Sequence, residues 1–151
     1  MSKRTFAGLL LLAAAVGIGA VREFLFVNLN YQLDFVANQR AFSYAHSSFQ
    51  AWCGGWSLSA LTAMKWALAL LFILINLGLA VLLARVRFGD HRYRTALLLG
   101  FAAIGSMALL AHVAAPSIAG MATLSIKLLH ALQYPVVLLL IWAASWIPQR
   151  R

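Results

Sequence analysis

The segment Leu58–Ala84, LSALTAMKWALALLFILINLGLAVLLA, decides the fold. It carries a single charge, Lys65, and is long enough for a bilayer core, which needs about 20 apolar residues per helix. Three more runs of the same kind flank it: Thr5–Val27, Thr95–Ala115 and Leu124–Trp146, the last with its helix starting near residue 121. The sequence therefore predicts an all-α integral membrane bundle of four transmembrane helices, with a long outer loop over residues 28–57. Four spans and their links use up nearly all of the 151 residues, so a single domain is expected.

Composition agrees. The chain is 64% hydrophobic and 10% charged, against roughly 25% charged in a soluble domain. Its net charge of +9 is explained by topology rather than by nucleic acid. Eight of the twelve basic residues, Lys3, Arg4, Arg85, Arg87, Arg92, Arg94, Arg150 and Arg151, cluster at helix ends on one side. Cytoplasmic loops carry such an excess, and such ends favour anionic headgroups. Both termini are thus expected in the cytoplasm, with membrane lipids as neighbours and no nucleic-acid partner. Lys3 and Arg4 ahead of an apolar run, with Gly17-Ile18-Gly19-Ala20 after it, resemble a signal peptide; the segment is read instead as the first span.

Within helix 1, Ala13/Gly17 and Ala15/Gly19 are small pairs four apart, as are Ala102/Ser106 in helix 3. Such pairs let helix backbones approach closely in lipid, and packing inside the bundle is expected of them. The inner loop Arg85–Arg94 is short, with Gly89-Asp90 as its turn. The outer loop mixes Asn, Gln and Asp with Tyr31, Phe35, Phe42, Tyr44, Phe49 and Trp52. That mixture suits a segment lying at the membrane interface. One or two short helices are expected in it, broken by Gly54-Gly55. Cys53, the one cysteine, excludes an internal disulfide and a two-cysteine redox centre; it is expected as a small loop residue.

Ionisable groups inside a membrane are costly and usually paired or functional. Lys65, His112, Lys127 and His130 fall in the outer half of their spans, near Arg22 and Glu23, with Asp34, Arg40 and His46 in the outer loop. Lys127, His130 and Tyr134 are spaced by three and four and share a helix face, near Gln133. Pro135 lacks an N–H, frees the carbonyl of Ala131 and should kink the helix there, which could widen a pocket. The opposing expectation is that the lysines snorkel to the interface and His112 caps its helix. Glu23 is expected to pair with Arg22, Arg40 or Lys65. Asn28 and Asn30 complete a candidate surface for a partner or ligand. Asn76, the main polar residue of the apolar inner half, is expected to bond across helices.

No cofactor is called for. His112 and His130 on different spans, with His46 above, could ligate haem iron, but no ligand spacing repeats and acids are scarce. Catalytic residues are not identifiable. Cys53 with His46 is a weak nucleophile–base pair, and GxSxG, P-loop and HExxH motifs are missing. The dry inner half argues against a channel or transporter acting alone.

Three stretches, Arg22–Gln32, Ser43–Phe49 and Leu132–Pro135, resemble small four-span bacterial membrane proteins associated with exosortase-type protein-sorting systems. The resemblance could cover most of the chain and implies an accessory protein, not the sorting enzyme. An exosortase's Cys-Arg-His set is expected across transmembrane helices, whereas here Cys53, Arg40 and His46 all fall in one loop. The expected function is a non-catalytic accessory or scaffold subunit engaging another membrane protein through the outer loop. The alternative is a small membrane enzyme or lipid-binding protein using the Lys/His cluster.

Overall fold

The computed structural model describes residues 2–89 and 92–146, and no strand occurs among them. Six helices follow in order: α1 Lys3–Ala37, α2 Ser47–Cys53, α3 Leu58–Phe88, α4 Arg92–Ala114, α5 Met121–Gln133 and α6 Val136–Ala144. Three stretches are long and apolar enough to cross a membrane: α1, α3 and Tyr93–Ala114 of α4. The pair α5–α6 passes the same test together, bent by 56° at its break, so the candidate spans among the described residues number three, or four if the pair is one.

The first helix runs well past its expected end at Val27, and the start of the expected outer loop is helical. The reason is a hidden 3.6-residue period. Leu25, Leu29, Leu33 and Val36 form one stripe, packed on a core of Leu29, Ala45, Phe49, Cys53 and Leu61. Asn28 and Gln32, four apart, form a polar row beside it. The helix stops in a Schellman motif: Gln39 takes a left-handed φ of 48°, and the Arg40 N–H reaches back to Phe35 O at 3.1 Å. The expected break at Gly54-Gly55 is present, with α2 ending at Cys53 and Gly54 as its C-cap.

The chain forms two compact units, residues 18–72 and residues 1–17 with 73–151, and α1 and α3 contribute to both. The first unit contains the core just named and an adjoining cluster of Phe26, Ala69 and Phe72. In the second unit Ala15, Ala80, Leu83 and Leu138 are buried together, with Leu97 and Trp142 packed on them. There α4 lies along α5: Ser125 Oγ donates to Ala108 O at 2.9 Å, and Gly105 faces Leu132.

The small-residue pairs behave differently from expectation. Ala15 is buried, but Ala13, Gly17, Ala102 and Ser106 are exposed, and nothing lies within 4 Å of a Cβ built at Gly17. The buried face of α4 is the Phe101–Ala108–Ala111 side instead. Between helices of this unit the close approach is instead at Gly8, where a Cβ would stand 2.5 Å from Trp142 Cζ3. Of the expected Gly89-Asp90 turn, Gly89 has φ 71° and Asp90 lies outside the described residues, as do Arg150 and Arg151.

At the fourth span, the residue before a proline is pushed out of the helical region. Tyr134 accordingly has ψ 157°, and α6 starts after Pro135. The break leaves backbone groups without helical partners, and Asn76 Nδ2 donates to the Gln133 carbonyl at 2.6 Å.

Candidate functional site

The sequence candidates divide between the two units. Arg22, Glu23, Asn28, Asn30, Asp34, Arg40, His46 and Lys65 belong to residues 18–72; His112, Lys127, His130 and Tyr134 belong to the other unit.

In the first group each polar residue named is engaged within its own unit. Arg22 is 2% exposed. Its guanidinium donates to Glu23 at 3.0 Å and lies 4.5 Å from the centre of the Phe26 ring. Of the three partners expected for Glu23, Arg22 is observed. Arg40 pairs with Asp34 at 3.2 Å on the surface, where a single ion pair contributes little. Lys65, half-buried, donates to Asn30 Oδ1 at 2.8 Å across α3 and α1.

Asn28 and Gln32 hold the segment between α1 and α2. The backbone N–H of His46 donates to Asn28 Oδ1, and Asn28 Nδ2 returns to Phe24 O at 2.7 Å. Ser43 Oγ donates to Gln32 Oε1 at 2.9 Å. Gln50, on α2, donates back to Ser43 O at 3.2 Å and to Ala45 O. Gln32, Ser43 and Gln50 were not among the sequence candidates. Their signal was the i, i+4 spacing of Asn28 and Gln32, visible only once residues 28–37 are recognised as helix.

His46 and Cys53 are occupied separately. His46 is the N-cap of α2, its Nδ1 accepting from Ser48 N at 3.3 Å. Cys53 is not a loop residue: it sits in the last turn of α2, fully buried, with Sγ donating to Phe49 O at 3.2 Å. Burial pushes its thiol above the usual range, the opposite of what a nucleophile needs. Around this frame Tyr31, Phe42, Tyr44 and Trp52 remain exposed. Tyr44 touches both Tyr31 and Phe42, at ring separations of 6.0 and 4.9 Å.

In the second unit, Lys127 and His130 lie on an exposed side of α5, and His130 meets Tyr134 edge-on at 5.7 Å. His112 lies in the last turn of α4. Among the described residues, no three His, Cys, Asp or Glu side chains come together as a metal site.

Large apolar side chains such as Leu9, Leu10, Leu70, Leu74, Leu99, Leu110, Leu139 and Leu140 are exposed, far beyond what water tolerates on one surface. With the three to four apolar spans, they define a multi-pass integral membrane protein. Comparison with models of known protein families, with curated proteins and with solved structures gives no significant match.

Proposed function

We propose that the chain is a non-catalytic accessory or scaffold protein of the bacterial cytoplasmic membrane. In this reading it has four spans, with α5–α6 as one, and both termini in the cytoplasm. Its outer cap, the end of α1 with α2 and the segment between them, engages a partner membrane protein. The resemblance of Arg22–Gln32, Ser43–Phe49 and Leu132–Pro135 to exosortase-associated proteins makes a protein-sorting system the setting.

One observation carries the reading. Asn28, Gln32, Ser43 and Gln50 are spent holding the segment between α1 and α2, Asp34 pairs with Arg40, and the rings of Tyr31, Phe42, Tyr44 and Trp52 stand exposed beside them. A catalytic or small-ligand site keeps convergent polar groups for its substrate. A docking surface keeps rigid aromatic anchors, the residues that dominate interface energetics.

The test is purification of the tagged full chain in mild detergent, with mass spectrometry of proteins and lipids that accompany it. A stoichiometric membrane protein, lost on Tyr44→Ala and retained on Lys127→Ala, is the expected result. A second reading rests on exposed Lys127 and His130 one turn apart on α5: a lipid-binding protein or small membrane enzyme. One enriched lipid or small molecule with no protein partner, lost on Lys127→Ala, would replace the first reading with the second.

A further inference from the structure

The unit formed by residues 1–17 and 73–151 holds an arginine that the scaffold reading does not use. Arg87 lies in the last turn of α3. Its guanidinium carbon stands 4.5 Å from the centre of the Trp142 ring, and its Nε donates to Ser145 Oγ at 2.8 Å. The Ser145 hydroxyl in turn donates to Trp142 O at 2.6 Å. Trp142 packs against the Ala15–Ala80–Leu83–Leu138 cluster, and α1 approaches its ring so closely at Gly8 that a Cβ there would force the ring to shift.

A guanidinium is a planar fork of five N–H donors. Here one is engaged, and the four on the terminal nitrogens have no acceptor among the described residues. Nor do the described residues of this unit include any carboxylate. The surroundings are cationic instead. Lys3 and Arg4 start α1, Arg85 ends α3 and Arg94 starts α4, all exposed. Neither α1 nor α4 has an acid in its first turn, so the cations there stand against the helix dipoles. Leu11, Leu83, Leu97 and Trp142 share one cluster, which brings these helix ends to the same end of the unit.

Orienting the chain in a membrane requires positive charge alone, with no fixed geometry. A guanidinium held by stacking and by its Nε, with the fork's tips open, is the arrangement that binds a tetrahedral oxyanion through two parallel hydrogen bonds. It lies near the ends of α3 and α6, two helices on which Leu82, Leu139 and Leu140 are exposed. A phosphate at that level belongs to a headgroup, and exposed leucines suit its acyl chains. We infer that Arg87, set by Trp142 and Ser145, holds the phosphate of an anionic phospholipid at the basic end of the bundle. This site is independent of the outer cap and of any partner there.

Native mass spectrometry of the full chain, released from micelles containing equal phosphatidylglycerol and phosphatidylcholine, tests it. Wild type should retain phosphatidylglycerol preferentially. Arg87→Ala should lower that retention about tenfold while phosphatidylcholine is unchanged. Arg87→Lys, which keeps the charge but loses the fork, should recover less than half of the loss. Ser145→Ala, which leaves the arginine in place, should weaken retention about threefold, and a thermal melt of each variant separates lipid loss from unfolding. Equal retention of the two lipids by wild type would overturn the inference. So would Arg87→Lys binding as wild type, an Arg87→Ala effect no larger than that of Arg4→Ala, or displacement of phosphatidylglycerol by millimolar inorganic phosphate. That last result would make the ligand a free anion.

Discussion

Replacing Asn76 with leucine should destabilise the protein by about 1–2 kcal/mol, although the new side chain is apolar and similar in size. Asn76 is 2% exposed, in the middle of α3. Its amide donates to the carbonyl of Gln133 at 2.6 Å, the last residue of α5 before the break at Tyr134-Pro135. In an unbroken helix that carbonyl would receive the N–H of residue 137. In lipid there is no water to replace it. Interhelical hydrogen bonds in membranes measure about 0.6 kcal/mol on average and up to about 1.7, while stranding a buried acceptor costs about 1–3; the expected figure lies where these overlap. The assay is reversible unfolding in mixed micelles of mild detergent and dodecyl sulfate, followed by tryptophan fluorescence. Pro135→Ala supplies the control. It restores an N–H and lets the helix run through, so residue 137 can reach Gln133 O, and in that background Asn76→Leu should cost less than about 0.5 kcal/mol. A cost below about 0.3 kcal/mol in the natural background, or the same cost in both, would refute the reasoning.

Three further predictions concern the cap and the packing. Asn28→Ala removes the acceptor of the His46 N–H, so amides of residues 43–47 should exchange faster in deuterium labelling while those of α4 stay unchanged. Cys53 should resist alkylation in the folded protein. Its raised thiol pKa means that above about pH 9 the unfolded chain ionises first, so stability falls with rising pH there. Cys53→Ala should remove that alkaline decline, and an unaltered slope in pH-dependent unfolding would sink this assignment. Gly8→Leu should drive a side chain into Trp142 and destabilise by about 1–3 kcal/mol. Gly8→Ala should cost less, because alanine recovers about 1 kcal/mol of helix propensity; thermal melts of the pair check the order.

The apolar runs made the helical, membrane-embedded character legible, because lipid imposes its length requirement on the sequence directly. Pro135 and Gly54 were legible as breaks for equally local reasons, a missing N–H and a helix stop. The extension of α1 to Ala37 was not, although Leu25, Leu29, Leu33 and Val36 announced it; Asn28, Asn30, Gln32 and Asp34 look like loop until they are placed on a helix. The candidate site was legible only as a set of residue types. Charge singled out Arg22, Lys65 and His46, and Arg22 pairs with its neighbour Glu23, but other partners are set by tertiary structure: Lys65 lies 35 residues from Asn30 and Arg87 lies 58 from Ser145. No spacing rule reaches across such distances. Arg87 drew notice only as one of eight topological cations, because neither Trp142 nor Ser145 advertises a connection to it. Neutral Gln32, Ser43 and Gln50 escaped for a related reason: a search for titratable groups passes over amides and hydroxyls that do structural work.

The most direct measurement is photocrosslinking in cells with benzoylphenylalanine placed at Tyr44, an exposed ring of the cap in contact with Tyr31 and Phe42. The account predicts one discrete adduct with another membrane protein, absent when the same probe replaces exposed Leu99 on α4. Adducts to lipid alone at both positions would contradict the claim that the cap is a protein-docking surface.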